Sequence, residues 1–433
     1  MHNKLLDFIK NSPSMFHAID NLQNRLKENG FVELKETEAF SIQPGGKYYV
    51  TRNQSSIIAF SIAKELTNYH YQLVASHSDS PTFKLKAVHD VADKDYTKFN
   101  VEAYGGMISS TWFDRPLSIA GRILVREDNS ISSKLVNIDR DLVIIPNVAI
   151  HFNRDVNKGF AINNQVDMLP LFSTGNKAGK LLESLAASVN VKAEAIIAHD
   201  LYLYTRTPGA IFGTDEEFIG SPKLDDLECA FTSFEAFVNA SPKAGINVFC
   251  CFDNEEVGST SKQGANGTLL ADVLKRINNA LGKTEDEYYQ AIAKSFMVSA
   301  DNAHAVHPNH PEYCDKDNRA YMNAGPVVKF SANQKYTTDG ISASVFKEIC
   351  KAAGVPTQSF VNRSDLAGGS TLGNLANTQV SMNTVDIGLA QLAMHSAYET
   401  AGSHDVELMV KALQKFYNTD IDIIDATNIK ITY

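Results

Sequence analysis

The part of the chain after residue 218 alternates between helix-like and strand-like segments, and this alternation restricts the fold more than any other feature. Short, almost wholly apolar runs predict strands at Ile246–Phe252, Phe296–Ser299, Val327–Phe330 and Gln379–Thr384. Apolar residues at helical spacing predict helices at Leu227–Val238, Leu269–Leu281, Ile341–Ala353 and Glu399–Phe416. Because helices that alternate with strands build an α/β layer, we expect a mixed, largely parallel sheet flanked by helices.

The middle of the chain has a different character. From about residue 90 to 215, short β-like runs dominate, interrupted by one predicted helix at Ala178–Ser188. The predicted strands of this region are Gly121–Arg126, Leu142–Pro146 and Val191–Tyr204. Earlier in the chain we predict two helices, the second from Ser12-Pro13 to Gly30, and strands at Ser56–Ile62 and Tyr69–Ala75. We therefore predict two domains: an α/β domain of residues 1–90 and 218–433, and an inserted β-rich domain of residues 91–217.

Charge and composition argue against several classes of protein. The net charge is −10 over 433 residues and no basic stripe is present, so we expect no nucleic-acid partner. Charged residues interrupt the apolar residues near the N-terminus, which does not fit a signal peptide. We expect no membrane span, because no later apolar stretch is long enough.

The cysteines indicate a reducing compartment. Five cysteines is an odd number, none lies in a CxxC motif, and Cys250 and Cys251 are adjacent. This pattern suits reduced thiols better than a disulfide framework or a cysteine metal site. We therefore expect a cytoplasmic protein.

Acidic and histidine residues cluster where predicted strands end, which is where open α/β sheets bind ligands. His77 and Asp79 follow one strand; the histidine could bind a metal while the aspartate orients its ring, but an ordinary turn fits equally well. Asp225 opens a helix, where a capping role is the simpler interpretation. His395 follows an apolar stretch, and such a lone histidine is more often structural.

The strongest signal is the junction after the predicted strand Ile246–Phe252. This apolar strand runs directly into Asp253-Asn254-Glu255-Glu256. Adjacent carboxylates beside a buried strand repel one another unless a cation offsets their charge, so we favour a functional site over a solvated loop. A second polar segment, Asp301–His310, follows another strand and holds three of the chain's 12 histidines.

Together these segments fit a two-metal hydrolase. Carboxylates and imidazoles without thiolates suit zinc, cobalt or manganese. A two-metal hydrolase needs a bridging carboxylate, end ligands for each ion and a base beside the attacking water. The five segments contain residues of each kind.

The same segments resemble the aspartyl aminopeptidase family of metallo-aminopeptidases. The resemblance rests on His-Ser-Asp-Ser-Pro, Pro-Lys-Leu-Asp-Asp-Leu, Asp-Asn-Glu-Glu-Val-Gly-Ser, Ser-Ala-Asp-Asn-Ala-His-Ala-Val-His-Pro-Asn and Ala-Met-His-Ser. It runs from the first helices to Met394-His395-Ser396, which is nearly the whole chain. The resemblance implies an enzyme that removes N-terminal residues from peptides, those with acidic side chains among them.

The resemblance also implies a role for each site residue. Two divalent metal ions, zinc before cobalt or manganese, would be held by His77, Asp225, Glu256, Asp301 and His395. Asp225 would bridge the ions, Glu256 and His395 would complete one site, and His77 and Asp301 the other. Glu255 would take a proton from the bridging water, and Asp79 would orient His77. The second ion would bind the free α-amine of the substrate.

Substrate contacts and assembly follow from the same resemblance. Lys329 matches a lysine that meets an acidic side chain of the first residue, and an ammonium there suits Asp or Glu. His304 and Tyr336 match positions near the reacting carbonyl, and Gly368-Gly369-Ser370-Thr371 matches a glycine-rich substrate loop. His151, in the inserted domain, matches a histidine that reaches a neighbouring subunit's site. The family implies dimers that assemble into a tetrahedral dodecamer.

One position departs from the family, and two other functions stay open. Many members have Asn after the bridging aspartate, whereas this chain has Asp226, which would change metal preference or water acidity or simply face solvent.

The first alternative function is a two-metal deacylase or carboxypeptidase on the same scaffold. The second is an inactive, shell-forming scaffold protein, although no predicted ligand is missing.

Overall fold

The computed structural model describes residues 1–433 and contains nine α-helices and 22 β-strands. The helices are α1 His2–Lys10, α2 Met15–Glu28, α3 Lys180–Ser188, α4 Leu224–Val238, α5 Leu269–Ala280, α6 Glu285–Ala293, α7 Gly340–Ala353, α8 Leu372–Gln379 and α9 Asp405–Tyr417. The strands are β1 Val32–Glu33, β2 Lys47–Arg52, β3 Ser56–Ile62, β4 Tyr71–His77, β5 Thr82–Ala92, β6 Tyr96–Tyr104, β7 Leu117–Glu127, β8 Ser130–Asn137, β9 Leu171–Thr174, β10 Ile196–Thr205, β11 Ala210–Phe212, β12 Phe218–Ser221, β13 Ile246–Phe252, β14 Phe296–Ala300, β15 Ala303–His304, β16 Val327–Phe330, β17 Gln358–Val361, β18 Asn383–Gly388, β19 Ala390–Leu392, β20 Glu399–Gly402, β21 Asp420–Ile423 and β22 Ile429–Thr432.

A nine-stranded sheet organises the structure, in the order β1-β2-β3-β13-β4-β14-β18-β16-β17. Five of its eight neighbouring strand pairs are parallel and three are antiparallel. The prediction of a mixed, largely parallel sheet flanked by helices is therefore confirmed. A five-stranded sheet, β11-β12-β20-β19-β15, and a two-stranded sheet, β21-β22, complete this part of the molecule.

Helices pack on both faces of the nine-stranded sheet, and successive side chains of a central strand point alternately into the two cores. In β13, Phe249 and Cys251 join the core packed by α1, α2, α4, α7 and α9. Val248 and Cys250 join the other core, with α5, α6 and α8. Burial on both faces explains why this strand is a continuous apolar run. It also separates the adjacent thiols of Cys250 and Cys251.

The central strands β13, β4 and β14 are parallel neighbours, so their carboxyl ends meet at one edge of the sheet. β4 ends at His77, β13 is followed by the acidic segment that contains Glu255, and β14 is followed by Asp301. Gly388, at the end of β18, lies close against this edge, since a Cβ atom there would be 2.0 Å from the Asp301 carbonyl oxygen. Three sequence-distant polar segments are thereby brought together.

A six-stranded antiparallel sheet, β8-β7-β10-β5-β6-β9, is formed between residues 82 and 205 and has its own core with α3. Its first strand, β5, begins at Thr82, before the predicted domain boundary at residue 91. The division of the chain into an α/β domain and an inserted β-rich domain stays a prediction.

Three predicted elements are wrong. The strand predicted at Gln379–Thr384 is β18, Asn383–Gly388, and it follows the short, polar helix α8. The helix predicted from Glu399 starts only at Asp405, because Glu399–Gly402 pairs as strand β20. Leu142–Pro146 forms isolated bridges to other segments rather than a strand.

No helix of the structure is both long enough and apolar enough to cross a membrane.

A histidine pair lies within the six-stranded sheet. His199 Nε2 is 3.2 Å from His89 Nδ1. Burial, reinforced by the neighbouring His89, lowers the pKa of His199 to about 4 although Asp200 acts in the opposite direction. His199 is thus neutral in the folded protein at pH values where it is protonated in the unfolded chain.

This pair gives a pH-dependent contribution to stability. Between about pH 6.5 and pH 4 the unfolded chain binds a proton that folded His199 does not, so the free energy of unfolding falls as the pH falls. We expect His199→Gln to show a shallower fall than the unchanged protein in denaturant unfolding measured at several pH values. The exposed His404→Gln variant serves as the control, and equal slopes for both variants would argue against this role of His199.

Candidate metal centre and active-site cleft

The five predicted metal ligands lie together at the edge of the large sheet, in two groups that share Asp225. Asp225 Oδ1 is 3.5 Å from His77 Nε2, and Asp301 Oδ1 is 3.8 Å from the same nitrogen. Asp225 Oδ2 is 3.2 Å from His395 Nε2, which also lies 3.3 Å from Glu256 Oε2. The two oxygens of one carboxylate thus face two separate clusters of donor atoms.

Both imidazoles are oriented by hydrogen bonds from the nitrogen that faces away from Asp225. His77 Nδ1 donates to the backbone oxygen of Asp79 at 3.1 Å, and His395 Nδ1 donates to the Gly106 carbonyl at 2.6 Å. These bonds commit Nδ1 of each ring to the backbone, so Nε2 is the nitrogen that faces the carboxylates and would bind a cation. The carboxylate of Asp79, predicted to orient His77, is slightly farther from the ring, at 3.4 Å.

The Asp79 carboxylate instead holds the loop that carries the two glutamates. The backbone N–H groups of Glu255 and Glu256 donate to its two oxygens, each at 3.1 Å. The Tyr104 hydroxyl donates to the same carboxylate at 2.8 Å and accepts from the Asn254 amide. Asn254 has a φ of 63°, in the left-handed region that asparagine tolerates. Asp79 therefore positions both glutamates through their backbone.

Burial and mutual repulsion disturb the ionisation of the cluster. Burial raises the pKa of Glu255 to about 8, with Asp301 adding repulsion and His77 opposing it. Burial also raises the pKa of Glu256 well above its ordinary value. For Asp225, burial is outweighed by the two imidazoles, which lower its pKa. Such crowding of acidic groups is relieved when a cation binds among them.

Sequence reasoning missed Glu399, a fully buried acid of strand β20. Its Oε1 accepts from the backbone N–H of His395 at 2.7 Å, and its Oε2 accepts from the backbone N–H of Asp225 at 3.1 Å. One carboxylate therefore ties together two predicted ligands that are distant in sequence. No spacing signal could have identified it, because Glu399 was placed inside a predicted helix.

Asp226 does not face solvent, so that interpretation of the departure from the family is wrong. Its side chain is fully buried, and Oδ2 accepts from the backbone N–H of His77 at 3.0 Å. Oδ2 also lies 3.9 Å from His77 Nε2, close to the predicted metal cluster. The carboxylate thus holds the end of strand β4 while adding negative charge beside the ligands.

A cleft of about 270 Å³ opens onto the cluster. Its lining residues are Asp225, Glu255, Asp301, Asn302, His304, Lys329, Tyr336, Gly369, Ser370, Thr371, Met394 and His395. Three of the four predicted substrate contacts are among them. The Lys329 ammonium donates to the backbone oxygens of Asp301 at 2.9 Å and Asn302 at 3.3 Å. Burial by itself would lower the pKa of Lys329, but Asp301 and other neighbours raise it above its ordinary value, so the charge is kept.

Asp386 fixes two walls of this cleft and was also missed by sequence reasoning. Its Oδ2 accepts from the backbone N–H and the hydroxyl of Thr337, at 2.5 and 2.6 Å, beside Tyr336. Its Oδ1 accepts from the Thr371 hydroxyl at 2.7 Å, at the end of the glycine-rich segment. This buried acid therefore connects the two segments that the resemblance assigns to the substrate.

His151, the fourth predicted substrate contact, does not line the cleft of its own chain. It is exposed in a segment without regular structure, between Ile150, which is 48% exposed, and Phe152, which is 87% exposed. Its predicted role concerns a neighbouring subunit, so the position within one chain leaves that role a prediction.

Carboxylates and imidazoles arranged around a shared aspartate, at the carboxyl ends of an α/β sheet, define a metal-dependent hydrolase. The sequence profile described as "Aminopeptidase I zinc metalloprotease (M18)" matches residues 8–417. The chain belongs to this M18 family, which confirms the predicted family and makes the protein an aminopeptidase.

Relatives and solved structures agree with this assignment. The probable M18 family aminopeptidase 2 of Clostridium acetobutylicum is 47% identical over 423 residues, covering 96% of this chain and 98% of the relative. The enzyme of the same name from Ectopseudomonas mendocina is 40% identical over 422 residues, covering 96% and 97%.

Two solved structures share the fold over most of the chain. A cryo-EM structure of a complex of Ape4 and Nbr1 has a TM-score of 0.93 and 36% identity, covering 96% of this chain and 85% of the other. The structure of the mApe1 dodecamer of S. cerevisiae has a TM-score of 0.84 and 28% identity, covering 96% and 95%.

Glu399 can be tested through metal binding. We expect Glu399→Gln to weaken the affinity for zinc roughly 10- to 100-fold, because an amide nitrogen would replace one acceptor and release the backbone of Asp225 or His395. The affinity would be measured by competition with a chelator, with circular dichroism to check the fold. The exposed Glu407→Gln variant is the matched control, and equal affinities of the two variants would show that Glu399 does not position the cluster.

Proposed function

We propose that this aminopeptidase holds two divalent metal ions, with Asp225 bridging them. The observation that supports this most directly is the pair of donor clusters, one facing each oxygen of Asp225. Glu256 and His395 would complete one site, and His77 and Asp301 the other. Each cluster then offers carboxylate and imidazole donors to one ion.

The donor set fits zinc. Tetrahedral zinc with bonds of about 2.0–2.1 Å places its ligand atoms roughly 3.3 Å apart. The distances between donor atoms in the two clusters are 3.2–3.8 Å, close to this value. In addition, Asp225 Oδ1 and Glu256 Oε1 are buried without a hydrogen-bond partner, as expected of atoms that bind a cation. Cobalt and manganese accept the same donors.

The proposed chemistry is the addition of water to the scissile carbonyl. Two bound ions would acidify the water between them and polarise the carbonyl oxygen. Glu255, which lines the cleft, would accept a proton from the attacking water and then pass it to the leaving amine. Asp79 would keep Glu255 in place through the backbone hydrogen bond at 3.1 Å.

We further propose that the cleft favours acidic first residues. The charged Lys329 ammonium uses two of its three donors on backbone carbonyls, which leaves one donor for a ligand. Tyr336 lies beside it, with its ring centroid 5.2 Å from Lys329 Nζ, and His304 lines the same cleft. His304 and Tyr336 would stand close to the reacting carbonyl.

Assembly and location belong to the same proposal. We propose dimers formed through the β-rich domain, with His151 reaching a neighbouring subunit's site, and a dodecamer built from these dimers. The exposed apolar side chains around His151 support a contact there, and the similar mApe1 protein of S. cerevisiae is described as a dodecamer. The proposed location is the cytoplasm, where the five free cysteines would stay reduced.

Glu255→Gln tests the base. We expect this variant to bind zinc as the unchanged protein does and to lose about 10²–10⁴-fold in kcat, because glutamine cannot accept the proton. The measurement is cleavage of leucine and glutamate amides after metal removal and addition of zinc, cobalt or manganese, with N-acetylated amides beside them. The exposed Glu65→Gln variant is the control.

Three outcomes would contradict the proposed mechanism. Full activity of Glu255→Gln would remove the base from the reaction. Equal cleavage of the N-acetylated amides would favour a deacylase. Metal binding by the unchanged protein without cleavage of any free-amine substrate would favour the scaffold function.

Lys329→Met tests the preference for acidic residues. We expect kcat/KM for aspartate and glutamate amides to fall about 10- to 100-fold relative to leucine amide, because the charged hydrogen bond is lost while the side-chain length is kept. An equal fall for all three substrates, or a loss of zinc affinity, would show that Lys329 supports the site rather than selects the substrate.

A further inference from the structure

A second cavity, of about 260 Å³, adjoins the active-site cleft. The two cavities share His304 and Gly369, which line both of them. The wall of the second cavity also includes His307, His310, Tyr313, Phe360, Arg363 and Leu366. The cleft and this cavity therefore adjoin at His304 and Gly369, and each is smaller than an ordinary ligand pocket of roughly 300–1,000 Å³.

The wall of the cavity is mainly aromatic and apolar. The ring of Phe360 is buried and lies 6.2 Å from that of His304, at the junction with the cleft. The rings of His307, His310 and Tyr313 follow one another at 5.2 and 5.5 Å between centroids. The rings of each pair are tilted against one another, by 37° and 34°, and together they form an aromatic surface that suits an apolar or aromatic side chain.

The charged groups at the cavity are occupied with one another. The Arg363 guanidinium binds the Asp365 carboxylate, with Nε donating to Oδ1 at 2.8 Å, and it also donates to the backbone oxygen of Glu312. The Glu312 side chain in turn pairs with His310 Nδ1 at 3.0 Å. Because these charges are already matched, the cavity offers no free ion to select a charged ligand.

The position of the cavity relative to the cleft indicates which part of a substrate it meets. Lys329 and Tyr336, which the proposed function assigns to the first residue, line the cleft but not this cavity. His304, assigned to the neighbourhood of the reacting carbonyl, lines both. The residue after the cleaved bond begins one backbone step, about 3.8 Å, from the first. The space beyond His304 is therefore within reach of that second residue.

The wall shared by the two cavities is held in place. Asp386 binds Thr371 through a hydrogen bond of 2.7 Å, at the end of the segment that contains Gly369. At the other end, Gly368 lies directly against Asn362, since a Cβ atom there would be 2.2 Å from the Asn362 amide nitrogen. The segment between the two cavities is thus held by a hydrogen bond at Thr371 and by close packing at Gly368.

From this geometry we propose that the cavity is the subsite for the second residue of the peptide, and that it prefers large apolar or aromatic side chains there. The inference rests on the proposed function, since it uses the roles given to Lys329 and His304. It adds a selectivity for the leaving part of the substrate, which neither the metal cluster nor Lys329 determines.

The test compares substrates that differ only after the cleaved bond. The zinc-loaded protein is assayed on Glu-Phe, Glu-Leu, Glu-Ala and glutamate amide, the last of which has no second side chain. We expect kcat/KM for Glu-Phe to exceed that for Glu-Ala by roughly tenfold or more. Leu366→Trp, at a half-exposed position of the cavity wall, should reduce this advantage by filling the space and leave glutamate amide within about twofold.

A second cavity variant and a matched control complete the design. Tyr313→Ala, at an exposed ring of the wall, should also lower the rate on Glu-Phe without changing that on glutamate amide. Ile424→Trp places the same bulky residue at an exposed position outside the cavity and should change no ratio.

The outcomes separate this inference from the proposed function. Equal kcat/KM values for Glu-Phe and Glu-Ala, or a uniform fall for all substrates in Leu366→Trp, would overturn the subsite. A changed preference among Glu, Leu and Lys as first residue, with the second residue ineffective, would also overturn it by assigning the cavity to the first residue. If the unchanged protein cleaved no substrate with zinc, the proposed function and the subsite would both fail.

Discussion

Repulsion between buried carboxylates is the constraint on which the rest of the site depends. Asp79, Asp225, Asp226 and Glu399 are all buried within a few ångströms of the cluster, where unpaired negative charges cost much free energy. The fold brings them there because three parallel strands end side by side. The chain offsets the repulsion with imidazole rings, backbone N–H groups and, as proposed, two cations.

The acids of this region divide into two groups by what they contact. Asp79, Glu399 and Asp386 accept hydrogen bonds from backbone groups of neighbouring loops, so their charge is used to hold the chain. Asp225 and Glu256 each leave one oxygen without a hydrogen-bond partner. Asp226 belongs to both groups, since its Oδ2 accepts from the backbone N–H of His77 while its Oδ1 has no partner. This division gives each loop an anchor independent of the metal, so much of the ligand geometry is defined before any ion binds.

The sequence predicted a functional site at Glu255 because an apolar strand followed directly by paired acids can be recognised within a few residues of sequence. It did not predict Asp386 or Glu399, since both lie inside short strands, where an acid interrupts the apolar pattern that identifies a strand. The same interruptions displaced the predicted strand near Asp386 and extended the predicted helix back to Glu399. The grouping of His77 with His395 required the resemblance to a family, because residues at opposite ends of the chain leave no spacing signal.

The adjacent thiols of Cys250 and Cys251 lie in different cores, one on each side of the central strand. Each is fully shielded while its own layer of helices stays packed. A thiol reagent therefore reaches Cys251 only when the layer with α4 and α9 opens, and Cys250 only when the layer with α5 and α8 opens. Labelling of Cys251 thus reports the opening of one layer and labelling of Cys250 the opening of the other. Timed labelling followed by peptide mass spectrometry can distinguish the two unfolding events.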